Sequence, residues 1–346
     1  MIRQAPSRLA ITIALGAVAA SGTMAWAADL PTEQTAIVQR GFGGPEVLKL
    51  ESVPMLEPGQ GQVLVQIYAA GLNPVDWKTR EGHFGKIALP AIMGFDFSGE
   101  VEALGPEVTD FRVGEQVFGS VADESGSYAE YALADVSTII EKPPNLDHVQ
   151  AAAITIPAMT AWQVLFDTAK LRAGQKILIH AAAGGVGGFA VQFAKWKGAH
   201  VIGTASASNS ELVRRLGVDQ FIDYRSTRFE DVVHDADVVF DTIGGETQER
   251  SWKALKKGGI LVSIVQPPPE KAAATNGVRG VFMAVDAKRP DELKQIAELV
   301  ASGRVKVNVE TILPLREARK AQELSQSGHA RGKIVLVVGA EAGMAL

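Results

Sequence analysis

The chain has no cysteine in its 346 residues. That excludes disulfides, thiolate nucleophiles, iron–sulfur clusters and every cysteine-ligated zinc site. Basic charge is not in excess either. With 34 Lys and Arg against 39 Asp and Glu, the formal charge is −5, and neither nucleic acid nor an anionic membrane is an expected partner. The six His never fall as close pairs on one helical face, so no metal site is expected. What is present is ordinary for a globular enzyme. Hydrophobic residues make up 47% and charged residues 21%, too apolar for disorder, and the length suits two domains, each with its own core.

The first residues are set apart. Arg3 and Arg8 precede an uncharged apolar run from Leu9, and Ala25-Trp26-Ala27 follows as a small-x-small site. This layout predicts a secretory signal peptide over 1–27. It would send the mature chain to the periplasm or outside the cell, with no stable membrane association after cleavage. If the signal is not real, the chain is cytoplasmic.

After Asp29, short strand-like runs alternate with Gly and Pro turns, the pattern of a barrel-like first domain. The pattern changes near residue 146. An Ala-rich helical stretch over 149–169 leads to an apolar strand at 176–180, and strand and helix then alternate to the end. Pro267 to Pro269 and the Ala-rich residues beyond read as loop, and Asn73-Pro74 reads as a turn. The fold class is α/β, with a doubly wound parallel sheet beside a β-barrel.

Strand 176–180 runs through Ala181, Ala182, Ala183, Gly184, Gly185, Val186 and Gly187 directly into a helix. This is a G-x-G-x-x-G fingerprint with Ala182 in its first position. A glycine at 184 lets backbone approach a pyrophosphate, whose charge the helix N-terminus meets, and one at 187 lets the helix pack closely on the strand. The position between strand and helix is what gives the motif weight. About twenty residues on, where a carboxylate would bind the NAD ribose, the sequence is Ser206-Ala207-Ser208-Asn209. Hydroxyls and amides there suit a 2′-phosphate, so NADP(H) is the expected cofactor, with Ser206 and Tyr224 as contacts.

No Tyr has Lys four residues on, which removes the Tyr-x-x-x-Lys pair of short-chain dehydrogenases. Instead, AGLNPVD at 70–76, GFDFSGEV at 94–101, FRVGEQVFG at 111–119, IDY at 222–224, DTIGG at 241–245 and GHARGKIVL at 328–336 accompany the glycine bend. Together they resemble the zinc-independent medium-chain dehydrogenase/reductases, in the quinone oxidoreductase and zeta-crystallin branch. The resemblance covers nearly everything from Thr35 on. Where zinc relatives carry Gly-His-Glu, this chain has Gly94-Phe95-Asp96.

The resemblance implies a GroES-like catalytic domain over 30–150 and 288–346, a Rossmann NADP-binding domain over 151–287, and a homodimer. It implies hydride transfer from NADPH to a small-molecule quinone or α,β-unsaturated carbonyl, without metal. Asn73 is the implied donor to the acceptor oxygen, and Asp76 and Lys78, following it, are expected to orient substrate or relay a proton. His83 stands where a Tyr is common in the branch. Thr160, Asp241, Gly244, Phe282 and Lys333 are implied on the cofactor side. Alternatives with the same architecture are a zinc-free alcohol dehydrogenase, an enoyl-thioester reductase, or a non-catalytic NADPH-binding protein.

Overall fold

Residues 25–26, 30–83 and 87–339 are described by a computed structural model. The expected export signal therefore lies outside the described residues, apart from the two-residue strand Ala25–Trp26, which pairs antiparallel with Ala103 and Leu104. No helix among the described residues is long and apolar enough to cross a membrane.

The apolar strand expected at 176–180 forms as Lys176–Ile179 and becomes the centre of a six-stranded sheet. Around it run His200–Ala205, Gln220–Asp223, Ala236–Asp241, Leu255–Ser263 and Arg279–Phe282, each parallel to its neighbour. Counting in chain order, the strands lie 3-2-1-4-5-6, the doubly wound order whose switch point lies between strands 1 and 4. Alternate residues bury on opposite faces. Ile177, Ile179, Val238 and Phe240 pack against Phe189 and Phe193 of the following helix. Leu178, Val239 and Leu261 pack with Trp252 on the other side.

The first part of the chain forms an antiparallel barrel around the long strand Gln62–Leu72. It pairs with Asp96–Leu104, with Tyr131–Asp135 and, from the far end of the sequence, with Lys333–Val337. The strand Val309–Pro314 then lies parallel to Lys333–Val337. The closing segment thus completes a GroES-like barrel. The helix Pro290–Ala301 departs from that grouping. Its Leu293, Ile296 and Ala297 bury in the same core as Phe193 and Val238, so it packs with the parallel-sheet half.

Local differences from the sequence reading have physical causes. The turn expected at Asn73-Pro74 opens a helix, Pro74–Arg80, because a proline loses nothing at the first helical position. The loop expected after Pro269 holds the helix Glu270–Asn276, stopped by Gly277 at φ 63°. The single helix expected over 149–169 is broken into His148–Ala152 and Thr155–Trp162 followed by a π turn. Pro157 cannot accept the carbonyl of residue 153 beneath its ring, so the helix restarts just before it. The strand expected over 305–310 forms later, as Val309–Pro314.

One buried cation ties the barrel's first helix to its last. Arg80 has no exposed surface. Its guanidinium donates to the Gly43 carbonyl at 3.0 Å, Gln322 Oε1 at 2.8 Å, Gln326 Oε1 at 3.1 Å and Glu81 Oε1 at 2.8 Å. Gln322 and Gln326 belong to the helix Ala318–Gln326. Replacing Arg80 with Met removes this donor from the Gly43 carbonyl and from the Gln322 and Gln326 amide oxygens. The expected loss is about 2 kcal/mol of unfolding free energy, read by urea denaturation.

Candidate functional site

The strand Lys176–Ile179 turns sharply into the helix Gly185–Trp196. Ala181 sits in the left-handed region at φ 47°, a strained conformation for a residue with a side chain. The two glycines of the bend are free for different reasons. A Cβ at Gly187 would stand 2.2 Å from the Ala181 carbonyl oxygen, so no side chain fits between helix and strand there. A Cβ at Gly184 would meet only that oxygen, at 3.3 Å, with open space otherwise. Gly184 caps the helix without any side-chain hydrogen bond. The outward surface of the bend is therefore bare backbone at a helix N-terminus, a fit for a pyrophosphate. Gly185 and Val186 stay partly exposed, whereas Ala182 and Ala183 are buried.

The other cofactor candidates gather at the carboxyl ends of the same sheet, where register places Asp241 beside Ser263 and Ser263 beside Phe282. Their engagements differ. Asp241 is fully buried, and its carboxylate accepts from the Ile243 and Gly244 amides at 3.0 and 2.8 Å and from Gln248 Nε2 at 3.0 Å. It shapes the loop in which Gly244 takes φ 78°, and its acceptors are occupied. Phe282 is exposed. Ser206 Oγ lies 3.0 Å from Ser208 Oγ and accepts from Asn209 Nδ2 at 3.2 Å. Tyr224 is exposed beside it, its amide donating to the Ala205 carbonyl at 3.3 Å and its ring under the Arg225 guanidinium. Glu211 pairs with Arg215, and the Asp223 carboxylate, directly before Tyr224, accepts from the Arg225 amide at 3.1 Å. Thr160 is buried, and its hydroxyl donates to the Ile156 carbonyl of its own helix at 2.6 Å.

The barrel side centres on Asn73, a nearly buried amide just before the helix Pro74–Arg80. Its Nδ2 donates to Asp96 Oδ2 at 2.8 Å, and its Oδ1 accepts from Lys333 Nζ. The same ammonium donates to the Leu72 carbonyl at 2.6 Å. Asp96 also accepts from the Ile156 amide, at the start of the helix Thr155–Trp162. Asp76 has no exposed surface. Its Oδ2 accepts from the Asn73 backbone amide at 2.8 Å and from the Tyr128 hydroxyl at 2.6 Å, while its Oδ1 has no protein partner. The expectation that Asp76 meets substrate is thereby corrected: it anchors the Asn73 turn from behind. Lys333 lies at the seam between the two halves: its ammonium donates to Asn73 Oδ1 and the Leu72 carbonyl, and its stem runs beside Gly185.

Burial dominates the titration of this group. It pushes Asp76 up to about 6 and Asp96 up to about 7 despite the nearby ammonium. It also lowers Lys333 and lifts the Tyr128 phenol. Lys78 and His83 lie apart from this network. Lys78 reaches over the Trp77 ring, half-buried and lowered by that burial, and exposed His83 stands 3.7 Å from Glu81.

The two halves of the site meet through the chain's end. Gly184 forms an isolated parallel bridge with Gly332, and a Cβ at Gly185 would stand 3.0 Å from Lys333 Cδ. Asp96 is the member that sequence reasoning left without a role. The available signal was a lysine heading an otherwise apolar strand, which needs a buried carboxylate or carbonyl to meet its charge.

A doubly wound sheet with a bare glycine bend, facing a barrel that holds a buried amide, defines a medium-chain dehydrogenase/reductase architecture. Comparison with known proteins agrees. Residues 59–144 match the alcohol dehydrogenase GroES-like domain and residues 216–336 the family described as zinc-binding dehydrogenase. The NADPH-dependent alkenal/one oxidoreductase of Arabidopsis thaliana chloroplasts is 36% identical over 326 residues, covering 89% of this chain and 81% of that one. The quinone oxidoreductase of Mus musculus is 34% identical over 319 residues, covering 86% and 96%. Among solved structures, the quinone oxidoreductase of Coxiella burnetii superposes with a TM-score of 0.81 at 36% identity, covering 89% of this chain and all of that one. That of Escherichia coli, complexed with NADPH, gives 0.81 at 28% identity, covering 88% and 99%. The chain belongs to the quinone oxidoreductase branch of the medium-chain dehydrogenase/reductases.

The buried carboxyls set a testable pH dependence. A carboxyl raised on folding binds its proton more tightly in the native state. Its contribution is whole below pH 4 and is lost as pH rises through the native value. Replacing Asp76 with Asn removes one such group. A rise from 3.8 to about 6 corresponds to on the order of 2 to 3 kcal/mol. From pH 4 to pH 7, stability of the variant relative to wild type should improve by about that much in urea titrations. A constant difference across that range would reject the assignment.

Proposed function

We propose that this protein is an NADPH-dependent reductase of quinones or α,β-unsaturated carbonyls, working without a metal ion. The observation that carries the proposal is the pairing of the bare Gly184 bend with a fixed amide, Asn73, on opposite sides of one seam. Bound NADPH would supply a hydride. The chain's residues then have three tasks: to hold the cofactor, to donate to the oxygen on which charge develops, and to keep water out.

Gly184, Gly185 and Val186 would hold the pyrophosphate, with Ala182, Ala183 and Gly187 setting the bend beneath it. Ser206 and Tyr224, with Arg225, would meet the 2′-phosphate. Thr160 offers the ribose only an acceptor, because its own proton is committed. Gly244 and Phe282 would border the nicotinamide half, in a loop that Asp241 shapes. Asn73 would donate to the acceptor oxygen. A neutral amide stabilises less charge than a metal ion does, which suits acceptors whose product anion is delocalised, a hydroquinone or an enolate. Lys78 and His83, beside Trp77, would return a proton from solvent. Other parts of the proposal are the homodimer, with Arg279–Phe282 at the free edge of the parallel sheet, and export directed by residues 1–27.

The test compares NADPH oxidation with 1,2-naphthoquinone, a 2-alkenal and a simple ketone. The first two should be reduced and the ketone should not. Tight NADPH binding with no acceptor reduced would favour a non-catalytic binding protein, and ketone reduction an alcohol dehydrogenase. Asn73→Ala should lower kcat by about 100-fold with NADPH affinity retained, as stopped-flow and fluorescence titration would show. Gly184→Ala should lower the melting temperature only slightly, its Cβ pressing on the Ala181 carbonyl oxygen at 3.3 Å, and weaken NADPH binding sharply, because that Cβ would stand where backbone approaches the pyrophosphate.

A further inference from the structure

A primary amide works as a directional donor only if its orientation is fixed, since its two ends differ in chemistry and not in shape. Asn73 is flanked by groups that each accept one end only. The Asp96 carboxylate, which accepts from Ile156 as well, takes a hydrogen of Nδ2. The Lys333 ammonium, which can only donate, takes Oδ1. Rotating the amide by half a turn would set Nδ2 against the ammonium and Oδ1 against the carboxylate. The ammonium contact would then be repulsive, and so would the Asp96 contact while that carboxyl is ionised, inside a site where nothing screens them. In the observed orientation one Nδ2 hydrogen is used by Asp96, and the other has no protein acceptor among the described residues.

We infer that Asp96 and Lys333 are positioning residues for the reaction, clamping the Asn73 amide from both ends so that its remaining Nδ2 hydrogen is offered to the acceptor oxygen. The clamp also polarises the amide: a cation on the oxygen withdraws electrons and strengthens the free N–H as a donor. Asp76 completes the arrangement from below by fixing the backbone of the same residue. This inference rests on the proposed reductase reading only for what the free hydrogen meets; the clamp itself is independent of it.

The chain has five Asn, so a sample labelled with 15N at asparagine alone gives five side-chain amide pairs, and Asn73→Ala identifies the one that belongs to residue 73. In the wild type that pair should show one strongly downfield, exchange-protected proton. In Lys333→Met the downfield proton should move upfield and the protection should fall. Asp96→Asn, a second variant that keeps the volume, should do the same. An Asn73 amide pair left unmoved by both substitutions would overturn the clamp, whether or not the protein turns over any acceptor.

Kinetics give the second arm. Each substitution should lower kcat on the preferred acceptor about 10- to 100-fold, of the order of losing one oriented donor, with a much smaller change in KM. In an Asn73→Ala background neither should cost anything further, because a residue acting through Asn73 has nothing left to orient. A full additional loss in that background would show that Lys333 or Asp96 acts on its own and would overturn the assignment. If no acceptor is reduced by the wild type, the reductase reading fails and the amide spectra alone decide the clamp.

Discussion

A lysine ammonium buried at the meeting point of three chain segments organises this molecule. Taking such a charge out of water costs several kcal/mol unless it is paired and hydrogen-bonded. Lys333 meets the cost with the Leu72 carbonyl, the Asn73 amide oxygen and the charges of Asp96 and Asp76. Those partners come from the end of the central barrel strand, the head of its neighbour and the helix between them. Each is useful to the ammonium in one relative position only. Slipping the final strand by one residue would send Lys333 to the other face of the sheet and put Ile334 among the carboxylates. The register of Ile334 with Leu72 is therefore enforced by charge as well as by the apolar residues that follow.

The same residue explains how the barrel and the parallel sheet hold a common geometry. Gly332 turns in the left-handed region at φ 93°, where a Cβ would stand 2.3 Å from the Asn308 carbonyl oxygen. That turn brings Gly332 against Gly184 and leaves the Lys333 stem beside Gly185. One peptide unit thus separates the contact with the cofactor bend from the contact with the amide. A hydride donor seated on the bend and an acceptor oxygen seated on Asn73 would be positioned by a short covalent path, with little freedom between them.

How much of this was legible in the sequence follows from the range of each interaction. The alternation of strand and helix, the glycine bend and the distinct demands on Gly184 and Gly187 are local, written within a dozen residues, and could be read directly. The Asn73 cluster is not local. Its amide bonds span 23 residues to Asp96 and 260 to Lys333, and no periodicity brings such partners together. The engagements of Asp76 and Asp241 are hidden for a related reason. Each is a carboxylate in a motif associated with ligand binding, yet backbone amides and neighbouring side chains occupy one oxygen of Asp76 and both of Asp241. A sequence shows that a carboxylate is present, not whether its lone pairs are already occupied.

The lack of cysteine acquires a physical meaning in this setting. By the resemblance, zinc-using relatives carry Gly-His-Glu where this chain has Gly94-Phe95-Asp96. With a neutral donor in place of an ion, charge stabilisation rests on how well that donor is aimed, because a loosely held amide in a wet site would contribute little. The surroundings of Asn73 supply the aim: a cation on one end, an anion on the other, a carboxylate beneath and almost no solvent. They also limit it. An amide contributes a hydrogen bond where an ion contributes a full charge, so the barrier can fall far enough only for acceptors that spread the incoming electrons over a conjugated system. On the proposed reading, a preference for quinones and enones over simple ketones would follow from the strength of the donor, whatever shape the substrate pocket takes.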